Sequence, residues 1–359
     1  MSVNDGPSYV APVHGPAPLL GVHNGFRNDG GLQKPEVVLG TPAQIETAAR
    51  PVALFVLGMN RSGTSAITRV LSLCGGALPA GLVGAMPDNP LGHWEPRAAN
   101  YLNDEILHRH GSNMFDPTMR LQEEGAFDAK RKATCIAEIG AFLTTLPASP
   151  LVVIKDPKIT VLSGLWFEAA RLAGFDIMTV IAVRHPEEVI ASVGVCGATP
   201  ELSSALWLKY NLLAERDTRE LPRVFVHYAN LLDDWRREIK RISAALRIDL
   251  NAPDEGAIDE FLKQDLQHQR HCGSVTEPFG TDWISTAYEA LCAAARDERW
   301  DQSVLDRVSE AYRASEYGFR TVFEDFQHFR RVHRVFRPSV KKLIIEVRAM
   351  AHRRSGTWA

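Results

Sequence analysis

Cysteine is scarce in this chain, and the cysteines that are present are not grouped. Five scattered positions carry one, with no CxxC pair among them: Cys74, Cys135, Cys196, Cys272 and Cys292. An odd number at wide spacing is typical of neither a disulfide framework nor a zinc site. We therefore expect buried or inert thiols in a reducing compartment.

Long apolar runs and an excess of one charge are also missing. No segment approaches the ~20 apolar residues that span a bilayer. The N-terminus has no basic stretch followed by an apolar run, so we expect no secretory signal. The formal net charge of the 359 residues is −3, which does not indicate a nucleic-acid partner. A cytoplasmic protein fits these features.

The two ends of the chain differ in composition from its middle. Residues 1–48 are rich in Gly, Pro and Asn without sustained periodicity, which predicts a flexible N-terminal arm. Residues 336–359 are predicted to form a basic C-terminal helix or tail. Between residues 330 and 354, nine Lys and Arg face one Glu. This basic face is either solvated or contacts an anionic substrate or a membrane surface.

The middle of the chain alternates between strand and helix patterns. Continuous apolar runs at Val52–Leu57, 151–154 and 177–183, with a shorter one at 224–226, are typical of parallel strands buried on both faces. Helical patterns lie between them, and the chain is mainly helical from Asp254 onward. The alternation predicts an α/β fold of three layers, a central parallel sheet flanked by helices with a helical C-terminal region.

A glycine loop follows the first predicted strand, at residues 58–65 (GMNRSGTS). A strand, a tight loop and a helix direct backbone N–H groups at an anion, and the helix dipole adds to the attraction. Nucleoside triphosphatases carry GxxxxGK followed by Ser or Thr at this point, but here Thr64 occupies the lysine position. Because that lysine holds the terminal phosphates, hydrolysis of ATP or GTP is disfavoured. The cation of this loop is Arg61.

A second candidate phosphate site follows the third predicted strand. Arg184 ends that strand, and Ser192 lies eight residues further on in the next predicted helix. Pro186 suits the first turn of this helix. Both polar residues should therefore lie at the edge where parallel sheets bind ligands. The planar guanidinium of arginine binds phosphate in a bidentate manner.

These two elements resemble the sulfotransferase family that uses 3'-phosphoadenosine-5'-phosphosulfate (PAPS). In its 5'-phosphosulfate loop a basic residue and any residue precede Gly, Thr and a hydroxyl residue, as in Arg61, Ser62, Gly63, Thr64 and Ser65. The resemblance implies that Arg61 neutralises the oxygen bridging phosphate and sulfur. It implies that the other four residues hold the 5'-phosphate in a P-loop-like fold.

The resemblance extends to the rest of the donor site. Arg184 and Ser192 are similar to the family's 3'-phosphate element, which distinguishes PAPS from ATP. Tyr228 stands where the family's tyrosine contacts adenine, although Ala229 and Asn230 replace the acidic pair that follows it. Only the tyrosine role is therefore carried over.

Two further segments supply candidate catalytic residues. Residues 88–95 (DNPLGHWE) resemble a bacterial branch of the family, which implies Glu95 as general base, with His93 as the alternative. Residues 155–158 (KDPK) look like a turn of protein-tyrosine sulfotransferases whose lysine, here Lys155 with Lys158 as the alternative, neutralises the transferring group. Positioning and electrostatics dominate such transfers. No His or carboxylate cluster has metal-ligand spacing, and we expect no metal.

The resemblance, which covers roughly residues 50–235, predicts transfer of a sulfuryl group from PAPS as co-substrate to a hydroxyl or amine. It assigns residues 49–335 to the sulfotransferase domain. A carbohydrate or glycolipid is the expected acceptor, with a small metabolite or a peptide as alternatives. Two other classes stay open: a kinase-like phosphotransferase that uses the same loop, and a non-catalytic nucleotide-binding module.

Overall fold

The computed structural model describes residues 50–86, 89–263 and 273–335, together with residues 347 and 350. The predicted arm at 1–48 and, apart from those two residues, the predicted tail at 336–359 lie outside the described residues. The domain boundaries therefore stay predictions. In the described part of the chain, no helix is both long and apolar enough to cross a membrane.

The described residues form one four-stranded parallel sheet, as predicted. Its strands lie in the order β2–β1–β3–β4. Their bounds are β1 (Val52–Leu57), β2 (Leu151–Lys155), β3 (Asp176–Val183) and β4 (Arg223–His227). Because all four strands are parallel, their carboxyl ends meet at one edge of the sheet, called here the carboxyl edge.

Helices connect and cover the strands, and they dominate the described chain beyond residue 254, as predicted. A short 3-10 helix spans Arg120–Gln122. The α-helices are α1 (Thr64–Leu73), α2 (Arg97–Arg109), α3 (Ala129–Leu143), α4 (Pro157–Val161), α5 (Ser163–Leu172), α6 (Pro186–Gly194), α7 (Pro200–Asp217), α8 (Tyr228–Asp233), α9 (Trp235–Leu246), α10 (Glu255–Lys263), α11 (Trp283–Ala295) and α12 (Gln302–Val335).

The central strand β1 is buried on both faces. Phe55 and Leu57 join a core that also contains residues of α2, α3, α5, α7 and α11. Leu54 and Val56 point the other way, into a core shared with α1, α9 and α10. Successive side chains of a strand point to opposite faces, so a continuous apolar run fits a strand between two helical layers. The predicted three-layer α/β class is confirmed.

The cysteines of the described chain are all free. Cys74 and Cys135 are buried, as expected, and Cys292 is partly buried. Cys196 is exposed, so of the two expected alternatives, a buried or an inert thiol, burial does not apply to this residue. It lies just beyond the end of α6, in a connection that the apolar pattern does not mark. Cys272 lies outside the described residues.

Candidate functional site

The predicted site residues lie along the carboxyl edge. The glycine loop (residues 58–65) follows β1, Lys155 ends β2, Arg184 follows β3, and Tyr228 follows β4. The strand order β2–β1–β3–β4 therefore places Lys155 on one side of the loop and Arg184 and Tyr228 on the other. We call these two groups the lysine end and the arginine end.

The glycine loop requires its glycines for two physical reasons. Gly63 has a φ of +88°, and a Cβ there would lie 2.2 Å from Cδ2 of Tyr228. Gly58 has a φ of +129°, and a Cβ there would lie 3.0 Å from the carbonyl oxygen of Ala182. Positive φ values are costly for residues that carry a Cβ. The loop thus passes tightly between β3 and the Tyr228 ring.

The start of α1 is suited to an anion. Gly63 is its N-cap residue, and no described side chain caps this end. The first N–H groups of a helix need partners from outside the helix, and the dipole favours a negative one. The Ser62 hydroxyl is buried at 1% exposure and has no hydrogen-bond partner among the described residues.

The lysine end centres on a buried ion pair. Lys155 Nζ lies 2.6 Å from Glu95 Oε1, and the two side chains are only 2% and 9% exposed. The same ammonium donates to Ser65 Oγ at 3.1 Å and to the carbonyl oxygen of His93 at 3.0 Å. The structure therefore brings together both residues predicted for catalysis at this end and the last residue of the glycine loop.

Charge and burial act in opposite directions on Glu95. Burial works to raise the pKa of its carboxyl group, but the nearby Lys155 ammonium and its hydrogen bond outweigh this effect. His93 and Asn100 add smaller contributions of the same sign, so the pKa of Glu95 lies below its ordinary value. Glu95 is consequently a carboxylate at neutral pH, the form that a general base needs.

The segment that carries Glu95 is held from both sides. The Val83 N–H donates to the Glu95 carbonyl oxygen at 2.7 Å. Trp94 has a φ of +57°, which is unusual for a bulky residue. Its ring packs under the Arg69 guanidinium, 4.4 Å from the centroid. These contacts keep the Glu95 side chain turned toward β2.

His93, the alternative base, contributes its backbone to the lysine end. Its carbonyl oxygen accepts hydrogen bonds from Lys155 Nζ and from Ser65 Oγ, at 3.0 and 3.1 Å. Its imidazole acts electrostatically on Glu95. Glu95 and His93 thus occupy one cluster, and the choice of base between them stays a prediction.

The arginine end is organised around the loop residue Arg61. Arg184 Nη1 donates to the Arg61 carbonyl oxygen at 2.8 Å, and Arg61 Nε donates to Ser192 Oγ at 2.7 Å. The Arg184 guanidinium lies 4.6 Å from the centroid of the buried Tyr228 ring. Arg184 Nε also donates to Glu188 Oε2 at 2.7 Å. The predicted 3'-phosphate and adenine residues therefore form one contact group.

The side chain of Arg61 contacts the arginine end. Its backbone has a φ of +71°, a left-handed conformation that sets the direction of the side chain. The resemblance implied a place near the transferring group, together with Lys155 and Glu95. In this arrangement the Arg61 Nε–H is directed at Ser192. The role of Arg61 in neutralising the leaving oxygen stays a prediction.

Two residues of the site have no motif that could have pointed to them. Asn100 Nδ2 donates to Glu95 Oε2 at 2.7 Å. The fully buried Thr160 accepts a hydrogen bond from the Gly58 N–H, with 3.0 Å between nitrogen and Oγ1. Asn100 lies in the first turn of α2, five residues after Glu95, whereas Thr160 lies in the short helix α4, 102 residues after Gly58. Neither spacing forms a recognisable motif.

Metal ligands are not grouped in the described ranges. No set of three or more His, Cys, Asp or Glu side chains there is arranged to hold a metal ion. Charged groups at the glycine loop include Arg61 itself and two ion pairs, Lys155 with Glu95 and Arg184 with Glu188.

Comparison with known proteins gives only distant structural matches. No protein-family model matches the chain, and no curated protein sequence matches it. The similar solved structures named here are sulfotransferases. A sulfotransferase domain from the Synechococcus olefin synthase is 18% identical, with a TM-score of 0.37, over 74% of this chain and 96% of that domain.

Two other solved sulfotransferase structures are similar to this chain at comparably low identity. A sulfotransferase domain from the curacin biosynthetic pathway is 17% identical, with a TM-score of 0.36, over 73% of this chain and 97% of that domain. The sulfotransferase STF1 from Mycobacterium tuberculosis is 15% identical, with a TM-score of 0.34, over 60% and 72% of the two chains. The TM-scores are low, so the function proposed below rests on the contacts of this chain's own residues.

The tight passage at Gly63 generates a first prediction. Gly63→Ala should destabilise the protein by more than the roughly 1–2 kcal/mol that a left-handed φ costs, because the new methyl group also meets the Tyr228 ring. Binding of adenosine 3',5'-bisphosphate should be lost or strongly weakened. Denaturant unfolding and calorimetric titration measure the two effects.

Gly140→Ala is the matched control. Gly140 lies inside α3, where an added Cβ would meet nothing within 4 Å. This change should raise the free energy of unfolding by about 0.5–1 kcal/mol and leave nucleotide binding unchanged. If Gly63→Ala behaves like Gly140→Ala, the glycine loop is not held as described.

Proposed function

We propose that this protein is a PAPS-dependent sulfotransferase. One observation carries the proposal: a glycine loop without the triphosphatase lysine is bounded by cationic groups on both sides. Lys155 contacts the loop through Ser65, and Arg184 contacts it through the carbonyl oxygen of Arg61. PAPS carries anionic groups at both its 5' and 3' positions, whereas ATP has none at the 3' position. Two separated cationic groups therefore favour PAPS.

The residues of the loop fit such a donor. The N–H groups at the start of α1 have no side-chain cap, and the buried Ser62 hydroxyl has no partner in the described structure. We assign Ser62, Gly63, Thr64 and Ser65 to the 5'-phosphate. A Cβ at Gly63 would lie 2.2 Å from the Tyr228 ring, so this point of the loop has room only for glycine.

The arginine end fits the remaining part of the nucleotide. We assign Arg184 and Ser192 to the 3'-phosphate, because a guanidinium and a hydroxyl are both phosphate donors and Arg61 links them. Tyr228 is assigned to the adenine. Tyr228 is 5% exposed, and its ring lies beside Gly63 and Arg184, so only a small part of the residue is available for that contact.

The chemistry divides between the donor and the lysine end. When bound, PAPS supplies a sulfuryl group that passes to an acceptor hydroxyl or amine while the bond from sulfur to the phosphate oxygen breaks and its electron pair stays with the phosphate. Glu95, held as a carboxylate by Lys155, accepts the acceptor proton. Lys155 and Arg61 stabilise negative charge on the transferring group and the leaving oxygen. This assignment requires no metal.

Lys155 must exchange a partner to perform this role. Its ammonium has three N–H donors, and they serve Ser65, the His93 carbonyl oxygen and Glu95. A sulfuryl oxygen can be bound only if one of these contacts yields. The neutral hydroxyl of Ser65 attracts the ammonium less than the Glu95 carboxylate does. The His93 carbonyl oxygen is neutral as well, so we assign the exchange to one of these two partners.

The acceptor class is proposed from the family resemblance. A carbohydrate or glycolipid is our first assignment, and a small metabolite or peptide is the alternative outcome. Contact of the basic tail with a membrane also stays a prediction. The deciding experiment is transfer from ³⁵S-labelled PAPS to extracts of the native cell, with mass-spectrometric identification of the labelled product.

Ligand stabilisation separates the proposed function from its two rivals. Adenosine 3',5'-bisphosphate should raise the melting temperature, and ATP with Mg²⁺ should not, because a ligand stabilises only the fold that it binds. Transfer should be insensitive to EDTA. Stabilisation by ATP with Mg²⁺ and EDTA-sensitive transfer of phosphate would instead identify a kinase. Binding without any transfer would identify a nucleotide-binding module.

A second prediction concerns Arg184. Arg184→Ala should weaken binding of adenosine 3',5'-bisphosphate by about 10- to 100-fold, as expected for a charged hydrogen-bond partner, and should affect adenosine 5'-phosphate much less. Calorimetric titration with both ligands measures the difference. The control is Arg171→Ala, an exposed arginine on α5. Equal losses for both ligands would show that Arg184 does not bind the 3'-phosphate.

A third prediction concerns Glu95. Glu95→Gln should lower kcat by ~10²–10⁴-fold with little change in the affinity for adenosine 3',5'-bisphosphate. Because Lys155 would lose its only described carboxylate partner within a salt-bridge distance, stability should also fall, by up to about 3–5 kcal/mol. Glu95→Gln/Lys155→Met, which removes both charges, should recover much of that stability.

Turnover and stability thus separate the two roles of Glu95. Single-turnover kinetics and thermal unfolding of the same samples provide the measurements. If Glu95→Gln retains wild-type turnover while His93→Ala loses it, His93 is the base.

A fourth prediction concerns Arg61. If it stabilises charge that develops on the leaving oxygen, Arg61→Ala should lower kcat by ~10²–10³-fold and change the donor Kd much less. Arg61→Lys should recover only part of the rate, because the lysine ammonium restores the positive charge but lacks the guanidinium fork. Single-turnover transfer at saturating PAPS measures this. A loss confined to donor affinity would place Arg61 with Ser192 in 3'-phosphate binding instead.

A further inference from the structure

The two oxygens of the Glu95 carboxylate have different partners. Oε1 lies 2.6 Å from Lys155 Nζ, and Oε2 accepts a hydrogen bond from Asn100 Nδ2 at 2.7 Å. A single contact would leave the carboxylate free to rotate about its Cγ–Cδ bond, whose torsion angle has a broad distribution. Two contacts from different elements, β2 and the first turn of α2, fix the plane of the group.

Asn100 is itself anchored by a buried lysine. The carbonyl oxygen of Asn100 accepts a hydrogen bond from Lys158 Nζ at 3.0 Å. Lys158 is 3% exposed and lies 2.9 Å from Asp104 Oδ2 and 3.7 Å from Asp156 Oδ2. This lysine therefore ties the start of α2 to α4. The backbone at Asn100 is held where its amide can reach Glu95.

We propose that Asn100 is a positioning residue that holds the Glu95 carboxylate in the orientation required for proton acceptance. This inference rests on the proposed function, in which Glu95 is the general base. Asn100 is not assigned any contact with donor or acceptor. Its amide has a donor side and an acceptor side, and a carboxylate accepts only from the donor side. The contact thus depends on the chemical identity of the amide as well as on its shape.

The proposed role has a pH signature. The charged or titratable groups that act on Glu95 are Lys155 from β2, His93 from its own segment and Asp156 from the start of α4. Asn100 adds a neutral donor that favours the ionised carboxylate, so it lowers the pKa of Glu95. Without that donor the pKa of Glu95 rises. The acid limb of the pH–rate profile should then move to higher pH.

The test compares three substitutions at one position. Asn100→Ala removes the donor, Asn100→Ser supplies a shorter donor, and Asn100→Asp keeps the shape but places a second carboxylate beside Glu95. We expect kcat to fall about tenfold in Asn100→Ala, less in Asn100→Ser and most in Asn100→Asp. Asn251→Ala, the same change at an exposed position, is the control and should leave kcat unchanged.

Two readouts separate positioning from packing. The acid limb should lie at higher pH in Asn100→Ala and Asn100→Asp than in wild type, and the Kd for adenosine 3',5'-bisphosphate should stay within about twofold of wild type. If the acid limb does not move and Asn100→Asp is at least as active as Asn100→Ala, the amide donor is not required and Asn100 acts only by packing. If Asn100→Asp does not fold, two results decide: a higher kcat in Asn100→Ser than in Asn100→Ala, and a shift of the acid limb to higher pH in Asn100→Ala.

Failure of the inference and failure of the proposed function give different results. If Glu95→Gln is inactive but Asn100→Ala keeps the wild-type rate and pH profile, the positioning role is wrong and the sulfotransferase proposal stands. If wild type neither transfers sulfuryl groups nor is stabilised by adenosine 3',5'-bisphosphate, the proposed function fails and the inference fails with it.

Discussion

The buried pair of Lys155 and Glu95 is the interaction on which the rest of the site depends. Either charge alone in this position would be costly, because burial removes its hydration. The pair forms only if the segment that carries Glu95 folds over the carboxyl end of β2. The same ammonium binds Ser65 and the His93 carbonyl oxygen. One interaction therefore fixes the relative positions of a strand, the glycine loop and the segment that precedes α2.

Strand order supplies the second constraint. Because β1 lies between β2 and β3, the glycine loop must run between a lysine that ends one strand and an arginine that follows the other. The loop contacts both, through Ser65 and through the backbone of Arg61. A ligand that extends along this edge would meet a cation on either side of its central phosphate. The order of the strands thus determines which strand ends lie on either side of the loop, and so where charged residues at those ends are placed.

The strands and the order of the site residues could be predicted because their signals are local. Continuous apolar runs such as Val52–Leu57 need no knowledge of distant residues, and the glycine loop, Lys155, Arg184 and Tyr228 each stand at the carboxyl end of a predicted strand. The missed features depend on contacts and backbone conformations that no residue pattern marks. Asn100 reaches Glu95 only because α2 begins beside it and Lys158 holds it there. The direction of the Arg61 side chain follows from a left-handed backbone that its sequence position does not reveal.

Under the proposed function, the ion pair also couples the two charge changes of the reaction. Before transfer, the Glu95 carboxylate competes with the donor for the Lys155 ammonium. When Glu95 accepts the acceptor proton it becomes neutral, and most of its attraction for Lys155 is lost. The ammonium is then free to bind more strongly to the oxygens of the transferring group, at the stage when negative charge develops there. Proton acceptance and electrostatic stabilisation therefore reinforce each other in this arrangement. Asn100 contributes by keeping the carboxylate in the plane in which both contacts can be made.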